Sequence, residues 1–427
     1  MLIEFTVENF LSFREKTTLS LISAKGGELK DSNTFDPKAP SSPTLLPSSV
    51  IYGANAAGKS NLIKALKNMQ GLILLSARES QANEALPMTP FLLDNTSSRL
   101  ASEFEASFIS EGIRYQYGFA ATKERITEEW LLAYPKGRPQ RWIERTYDEK
   151  TQTYLWGAMH RLSGQKQVWQ AATRDNALFL STAMQLNSQQ LKPVFTWFEK
   201  VLHVSGLGGW SHDYSIEQCK KAETKTAIVH FLKTADLDIE DIQLETEKFD
   251  SKMLPENMPD AIKKETEDKF RGKSVVVDIM TAHLLPNREK VLFDLNDESD
   301  GTRKIFALAG PWLDTLEHGY VLIIDELHDN LHPLMVKFLV SLFHNKKTNP
   351  LNAQLVFTTH DTSILNQEVF RRDQVWFCEK DEEKSSRLKP LSDFSPRKKT
   401  ENLEKGYLSG RYGALPYLKE IKEAMGA

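Results

Sequence analysis

The sequence predicts an α/β fold: a mixed sheet flanked by helices, joined to an antiparallel β-subdomain and carrying a helical insertion. Three observations support this. A short β-rich run, Ser48 to Tyr52, leads through a glycine loop into apolar residues at helical spacing from Lys59 to Leu75. Two continuous apolar runs, Tyr320 to Ile324 and Gln354 to Thr359, read as strands buried on both faces. From about Phe91 to Trp156, short strand-like pieces separated by turn and charged residues read as antiparallel strands.

In chain order, Leu2 to Val7 and Thr17 to Ile22 flank Asn9-Phe10-Leu11-Ser12-Phe13 and read as an opening antiparallel pair. The acids at Glu4 and Glu8 do not suit a signal peptide. Residues 31–49, rich in Pro, Ser and Asn, read as a loop. Phe104 to Ile109, Tyr115 to Phe119 and Tyr154 to Trp156 supply the β-subdomain. Between Leu178 and about Lys269 the pattern is helical and strongly charged, and Asp236, Asp238, Glu240, Asp241, Lys263 and Lys264 read as a solvated helical face. Strands follow at Ser274 to Ile279 and Lys290 to Leu295, then a helix after Gly301 and another from Pro333 to Phe343. Two edge-like strands, Gln374 to Glu379 and Arg387 to Leu391, precede a C-terminal amphipathic helix near Leu415 to Met425. The expected division is 1–165, a helical insertion at 166–272, and 273–427.

The 427 residues are 40% hydrophobic, 26% charged and 10% aromatic, which excludes wholesale disorder and fibrous classes. Fifty-four Lys and Arg against 58 Asp and Glu leave a formal charge of -4, so no global basic field advertises a nucleic-acid partner. Local basic clusters such as Arg397-Lys-Lys399 and Lys220-Lys221 leave DNA contact open. Cys219 and Cys378 have no CxxC or Cys/His companion, which argues against a disulfide framework or structural zinc and suits a reducing cytosol. The apolar runs fall short of the ~18 residues that a membrane span needs, so a cytoplasmic protein is expected.

Gly53-Ala-Asn-Ala-Ala-Gly58-Lys59-Ser60 is a complete GxxxxGK[ST] phosphate loop between a strand and a helix. Its glycines let consecutive N–H groups turn onto phosphates, and the helix dipole points at them. Gly53, Asn55, Ala56, Gly58, Lys59, Ser60 and Asn61 are the expected nucleotide-binding residues, with Lys59 on the β- and γ-phosphates and Ser60 on Mg²⁺. Tyr320-Val-Leu-Ile-Ile-Asp325-Glu326 ends a buried strand in two carboxylates, where Asp325 can orient Mg²⁺ and Glu326 can polarise the attacking water. His360, just past Phe357-Thr358-Thr359, falls at the same sheet edge and could sense a γ-phosphate. Asp297-Glu298-Ser299-Asp300-Gly301-Thr302 precedes a helix; it reads either as a turn with Ser299 or Asp300 as N-cap, or as a second phosphate-facing helix start. No Asn-Lys-x-Asp stretch follows the loop, which argues for ATP over GTP.

With these residues in this order, the chain resembles an ATP-binding-cassette head of the SMC and RecF type, a P-loop NTPase. More narrowly, it is similar to the bacterial AAA-type ATP-binding proteins of abortive-infection and phage-defence operons. Leu331-His332-Pro333 and Gly410-Arg-Tyr-Gly-Ala-Leu-Pro416 match stretches of that group. The resemblance implies Lys59 and Ser60 as phosphate and metal residues, Asp325 as the Mg²⁺-linked acid, Glu326 as general base and His360 as a switch histidine. It implies that Ser299 and Gly301 reach the ATP of a second protomer in a head-to-head dimer or larger oligomer, and that Arg14 touches phosphate. Asp300 stands where the wider family has glycine, and His328 where relatives often carry an acid.

The leading expectation is an ATP-hydrolysing switch that gates a separate effector protein, such as a nuclease or toxin, or senses a phage component. The alternatives are an SMC- or RecF-like ATPase acting directly on DNA and a non-hydrolysing ATP-bound scaffold. Pro259-Asp260 with Glu267-Asp268-Lys269 fits the sparse pattern of a metal-dependent nuclease, but the segment is charged and helix-like, so it reads as solvated surface.

Overall fold

A computed structural model describes residues 1–79, 81–205, 210–255, 258–272, 274–397 and 400–416. Strands β1 (Leu2–Glu8) and β2 (Thr17–Ser20) pair antiparallel, as the alternation predicts. After β3 (Ser48–Tyr52) come β4 (Ser102–Ser110), β5 (Ile113–Ala121), β6 (Ile126–Tyr134), β7 (Gln140–Asp148) and β8 (Thr153–Trp156). All but β3 join one antiparallel sheet in the order β2-β1-β4-β5-β6-β7-β8. Its alternate residues, among them Phe104, Phe108, Tyr115, Tyr117 and Phe119, enter the core.

The remaining strands are β9 (Leu202–Val204), β10 (Asp241–Lys248), β11 (Ser274–Leu284), β12 (Lys290–Asp294), β13 (Val321–Ile324), β14 (Gln354–Thr358), β15 (Val375–Lys380) and β16 (Ser386–Pro390). A six-stranded mixed sheet runs β16-β15-β3-β14-β13-β9, parallel except for β16. Its strands β3, β13 and β14 are buried along their whole length, which explains their unbroken apolar runs. The helix Lys59–Leu75 buries Leu62, Ile63, Leu66, Met69 and Ile73 on one stripe, in the same core as β1 and β4. Buried Gln354 links the two sheets: its amide accepts from Leu2 N (2.6 Å) and donates to Leu2 O (2.9 Å) and Leu46 O (3.1 Å).

The chain divides into two compact units, residues 1–209, 315–329 and 333–427, and residues 210–314 and 330–332. Both large sheets belong to the first. The second carries the antiparallel sheet β10-β11-β12 with the helices Asp213–Cys219, Ala222–Thr234 and Asp260–Phe270.

Three expectations need correction. The segment 166–272 is not wholly helical: β9 joins the central sheet beside β13, and β10 pairs with β11. A three-residue Leu-His-Val strand is too short to show a period, and β10 is exposed and charged along most of its length, so it mimics a helix surface. Asp241 accordingly opens a strand, paired with Lys225 at 2.8 Å, instead of lying on a helix. β15 is not an edge strand, since it lies between β3 and β16. The helix expected near Leu415 to Met425 falls mostly outside the described residues, as do two members of the Arg397 basic cluster.

Candidate nucleotide site

The loop after β3 is shaped by what surrounds it. A Cβ at Gly53 would lie 2.3 Å from the Cys378 carbonyl of β15, and one at Gly58 (φ +117°) would lie 2.2 Å from Ser386 Oγ of β16. Only glycine fits at either place. Ala56 adopts φ +61°, and Asn55 and Ala56 form the exposed tip. Gly58 then starts the 17-residue helix Lys59–Leu75, whose N-terminal dipole and unpaired N–H groups make an anion site. Together these features form a backbone cradle of the kind that holds phosphate.

Lys59 is 5% exposed, and its ammonium donates to the carbonyls of Gly53 (2.8 Å) and Ala54 (3.2 Å). Burial lowers its pKa, opposed by the Glu326 and Asp325 carboxylates. The loop lysine therefore lies within electrostatic reach of both strand-end carboxylates. Cys378 is a neutral thiol, its pKa pushed up to about 12 by burial, and it is no nucleophile.

One hydroxyl holds the Asp325 carboxylate and the Glu326 backbone amide. Thr358, which ends β14, donates from Oγ1 to Asp325 Oδ1 (2.6 Å) and accepts there from Glu326 N (2.8 Å). Asp325 is buried, and Glu326 has φ +51°, a left-handed conformation that costs a non-glycine residue on the order of 1 kcal/mol or more. Beyond Thr358 the ring of His360 meets His328, with Nε2 to Nε2 at 2.9 Å and ring centroids 3.8 Å apart. One of those nitrogens must donate and the other accept.

β3, β14 and β13 are neighbours, so Lys59, Thr358, His360, Asp325 and Glu326 converge at the carboxyl edge of one parallel sheet. That edge is where α/β sheets bind ligands. A cavity of about 700 Å³ opens there, lined by residues including Gly53, Asn55, Ala57, His360 and Tyr407. Ser60 and Asp325 are hard oxygen donors, and no group of three or more His, Cys, Asp or Glu among the described residues is arranged to hold a metal. This donor set fits Mg²⁺, which keeps water and substrate phosphate as its other ligands.

Other expected residues lie elsewhere. Asn61 donates to Ser12 Oγ (2.8 Å), and Ser12 also meets Ser386 Oγ (2.8 Å). Arg14 is ion-paired with Glu15 (3.0 Å) and with Glu383. Ser299 and Gly301 belong to the second unit, where exposed Ser299 accepts from Thr302 N (3.1 Å) in the manner of an N-cap and Asp300 pairs with Arg303. The Asp260–Phe270 helix carries the nuclease-like acids, with Asp268 paired to Arg271 (2.8 Å).

Sequence reasoning did not single out Thr358 as the bridge or His328 as the partner of His360. The run Thr358-Thr359-His360 is visible as a motif, but which threonine points at Asp325 depends on the register of β14 against β13.

The family model described as "AAA domain, putative AbiEii toxin, Type IV TA system" matches residues 48–165 and 209–366, well over half of the chain. No curated protein matches it. Among solved structures, the SMC head domain from Thermotoga maritima is 13% identical with a TM-score of 0.40, covering 91% of this chain and 98% of that one. The recombination mediator protein RecF with ATP is 14% identical, with a TM-score of 0.36 and coverage of 88% and 96%. The Smc head domain from Pyrococcus furiosus, bound to the C-terminal domain of ScpA, is 12% identical, with a TM-score of 0.38 and coverage of 92% and 97%.

Proposed function

The chain belongs to the AAA-domain family described as putative AbiEii toxin of a type IV TA system, and from that premise we propose that it is an Mg²⁺-dependent ATPase acting as a switch. The observation that carries this reading is the shared sheet edge: the strands that lead into the phosphate loop and into Asp325-Glu326 flank β14, whose Thr358 holds Asp325 and the Glu326 amide. The loop amides and Lys59 bind the β- and γ-phosphates. Ser60 and Asp325 hold Mg²⁺, which when bound neutralises phosphate charge. Glu326 takes a proton from water as its oxygen attacks the γ-phosphorus; the bond to the bridging oxygen breaks and ADP leaves with that electron pair. His360 senses the γ-phosphate from the adjacent strand end, and Arg14, now ion-paired with Glu15 and Glu383, touches phosphate.

In this proposal Ser299 and Gly301 complete the nucleotide site of a second copy, so ATP closes a head-to-head dimer or larger ring and hydrolysis reopens it. The cycle gates a separate effector protein in anti-phage defence, a role supported by the toxin–antitoxin description of the family. ATP turnover and sedimentation of the wild type, Lys59→Ala and Glu326→Gln test it. Lys59→Ala should lose nucleotide binding, whereas Glu326→Gln should bind ATP, stay associated and turn over roughly 100-fold or more slowly. Normal hydrolysis by Glu326→Gln would remove it as the base. A wild type that binds no ATP would end the enzyme reading.

A further inference from the structure

The stretch Gly410-Arg-Tyr-Gly-Ala-Leu-Pro416 has no part in the phosphate chemistry above, yet the fold brings it onto the phosphate loop. Its anchoring is dense. Tyr412 is fully buried, lies 5.4 Å from the Phe377 ring of β15, and donates its hydroxyl to Glu401 (2.5 Å). Arg411 pairs with the same carboxylate at 2.6 Å, and Tyr407 stacks on Phe377 at 5.2 Å. Past these anchors Gly413 (φ +68°) and Ala414 (φ +57°) turn the backbone through two left-handed residues.

That turn exposes both polar groups of Ala414 to specific partners. Its N–H donates to Glu379 Oε2 (3.1 Å), and its carbonyl accepts from the Ala54 N–H of the phosphate loop (2.9 Å) and from the Tyr407 hydroxyl (3.1 Å). Glu379, at the end of β15, has its other oxygen on Lys389 (2.5 Å), so the carboxylate is committed on both sides. A Cβ at Gly413 would come within 2.3 Å of Glu379 Oε2, which explains glycine there independently of its dihedral.

We propose that Gly410–Pro416 is a strap that holds the start of the phosphate loop through the Ala414 carbonyl, with Glu379 as the positioning residue that orients Ala414. Gly53 is pressed against the Cys378 carbonyl, and Ala54 is held by the strap. The loop therefore enters its turn already fixed, and phosphate binding need not order it. The consequence for ATP rests on the nucleotide reading, whereas the hold on the Ala54 amide does not.

The test uses the full chain with Glu379→Ala, Glu379→Gln and Gly413→Ala, read by hydrogen exchange of the peptide containing Ala54 and by Mg-ATP binding and turnover. Glu379→Ala and Gly413→Ala should speed exchange at the loop start and raise the KM for ATP roughly tenfold while kcat changes less than twofold. Glu379→Gln keeps an oxygen for Ala414 N–H and should stay near wild type. Unchanged exchange in both Glu379→Ala and Gly413→Ala overturns the strap, as does Glu379→Gln behaving like Glu379→Ala. Faster exchange in a protein that binds no ATP would keep the strap and discard the nucleotide reading.

Discussion

The carboxyl edge of the central sheet and the interior of the seven-stranded sheet both bury ionisable groups, for opposite ends. At the edge, Lys59 and Asp325 are buried, loop residues Gly53 to Ala57 and His360 line an open cavity, and the local backbone holds left-handed residues at Ala56 and Glu326. In the β-subdomain, Glu129 and Arg145 are wholly excluded from solvent at 3.8 Å, and their neighbours bond both Glu129 oxygens and both terminal nitrogens of Arg145. Glu129 accepts from Tyr117 (3.0 Å), Phe179 N (2.7 Å) and Leu180 N (2.9 Å), while Arg145 donates to Ala177 O (2.8 Å) and Arg174 O (3.1 Å) and covers the Tyr154 ring. A solvent-free network of this kind specifies packing. A strained edge whose loop lines a cavity keeps backbone groups open to a ligand.

The largest effect expected from this contrast is on stability. Glu129→Ala leaves Arg145 uncompensated and should cost about 3–5 kcal/mol, read as a shift in the urea midpoint, with the ATP KM unchanged wherever the protein is folded. A stable Glu129→Ala protein with altered nucleotide affinity would break the distinction between the two regions.

A smaller effect is expected at the edge. Thr358→Val keeps the shape of the β14 end but removes the hydroxyl shared by Asp325 and Glu326, and should lower ATP turnover by roughly 1–3 kcal/mol of barrier, about 5- to 150-fold. Turnover equal to wild type would show that the two acids hold their places without it.

The smallest effect per pH unit sharpens the comparison with a third buried group. His344, at the end of the helix Pro333–His344, meets Ser48 Oγ at 2.7 Å, and burial lowers its pKa to about 4 from 6.5. Between those values the unfolded chain binds more protons than the native one, so stability falls as pH drops from about 6.5 towards 4. The slope is at most about 1.4 kcal/mol per pH unit. His344→Gln should flatten this part of the pH profile, measured by urea midpoints across that range.

Much of the site was legible in the sequence because its parts are contiguous. Gly53 to Ser60, Asp325-Glu326 and Thr358-Thr359-His360 each carry their chemistry within a few residues, and each follows a strand whose apolar run is itself a local signal. The β-subdomain was only partly legible: β6 and β7 mix charged and apolar residues on half-buried faces, so their alternation is diluted. β15 was mistaken for an edge strand because an apolar run reports burial and not which strands lie on either side.

The sequence by itself determined that a phosphate loop and a carboxylate pair end two buried strands, since glycine spacing and apolar periodicity are local properties of the chain. Only the tertiary structure decided that β14 lies between those strands, so that one threonine holds both acids and His360 meets His328. It alone brought Ala414 to Ala54, joining residues from opposite ends of the chain. The physical reason is the same in each case: hydrogen bonds between distant segments depend on which strands pair and in what register, and that is set by burying the whole core at once.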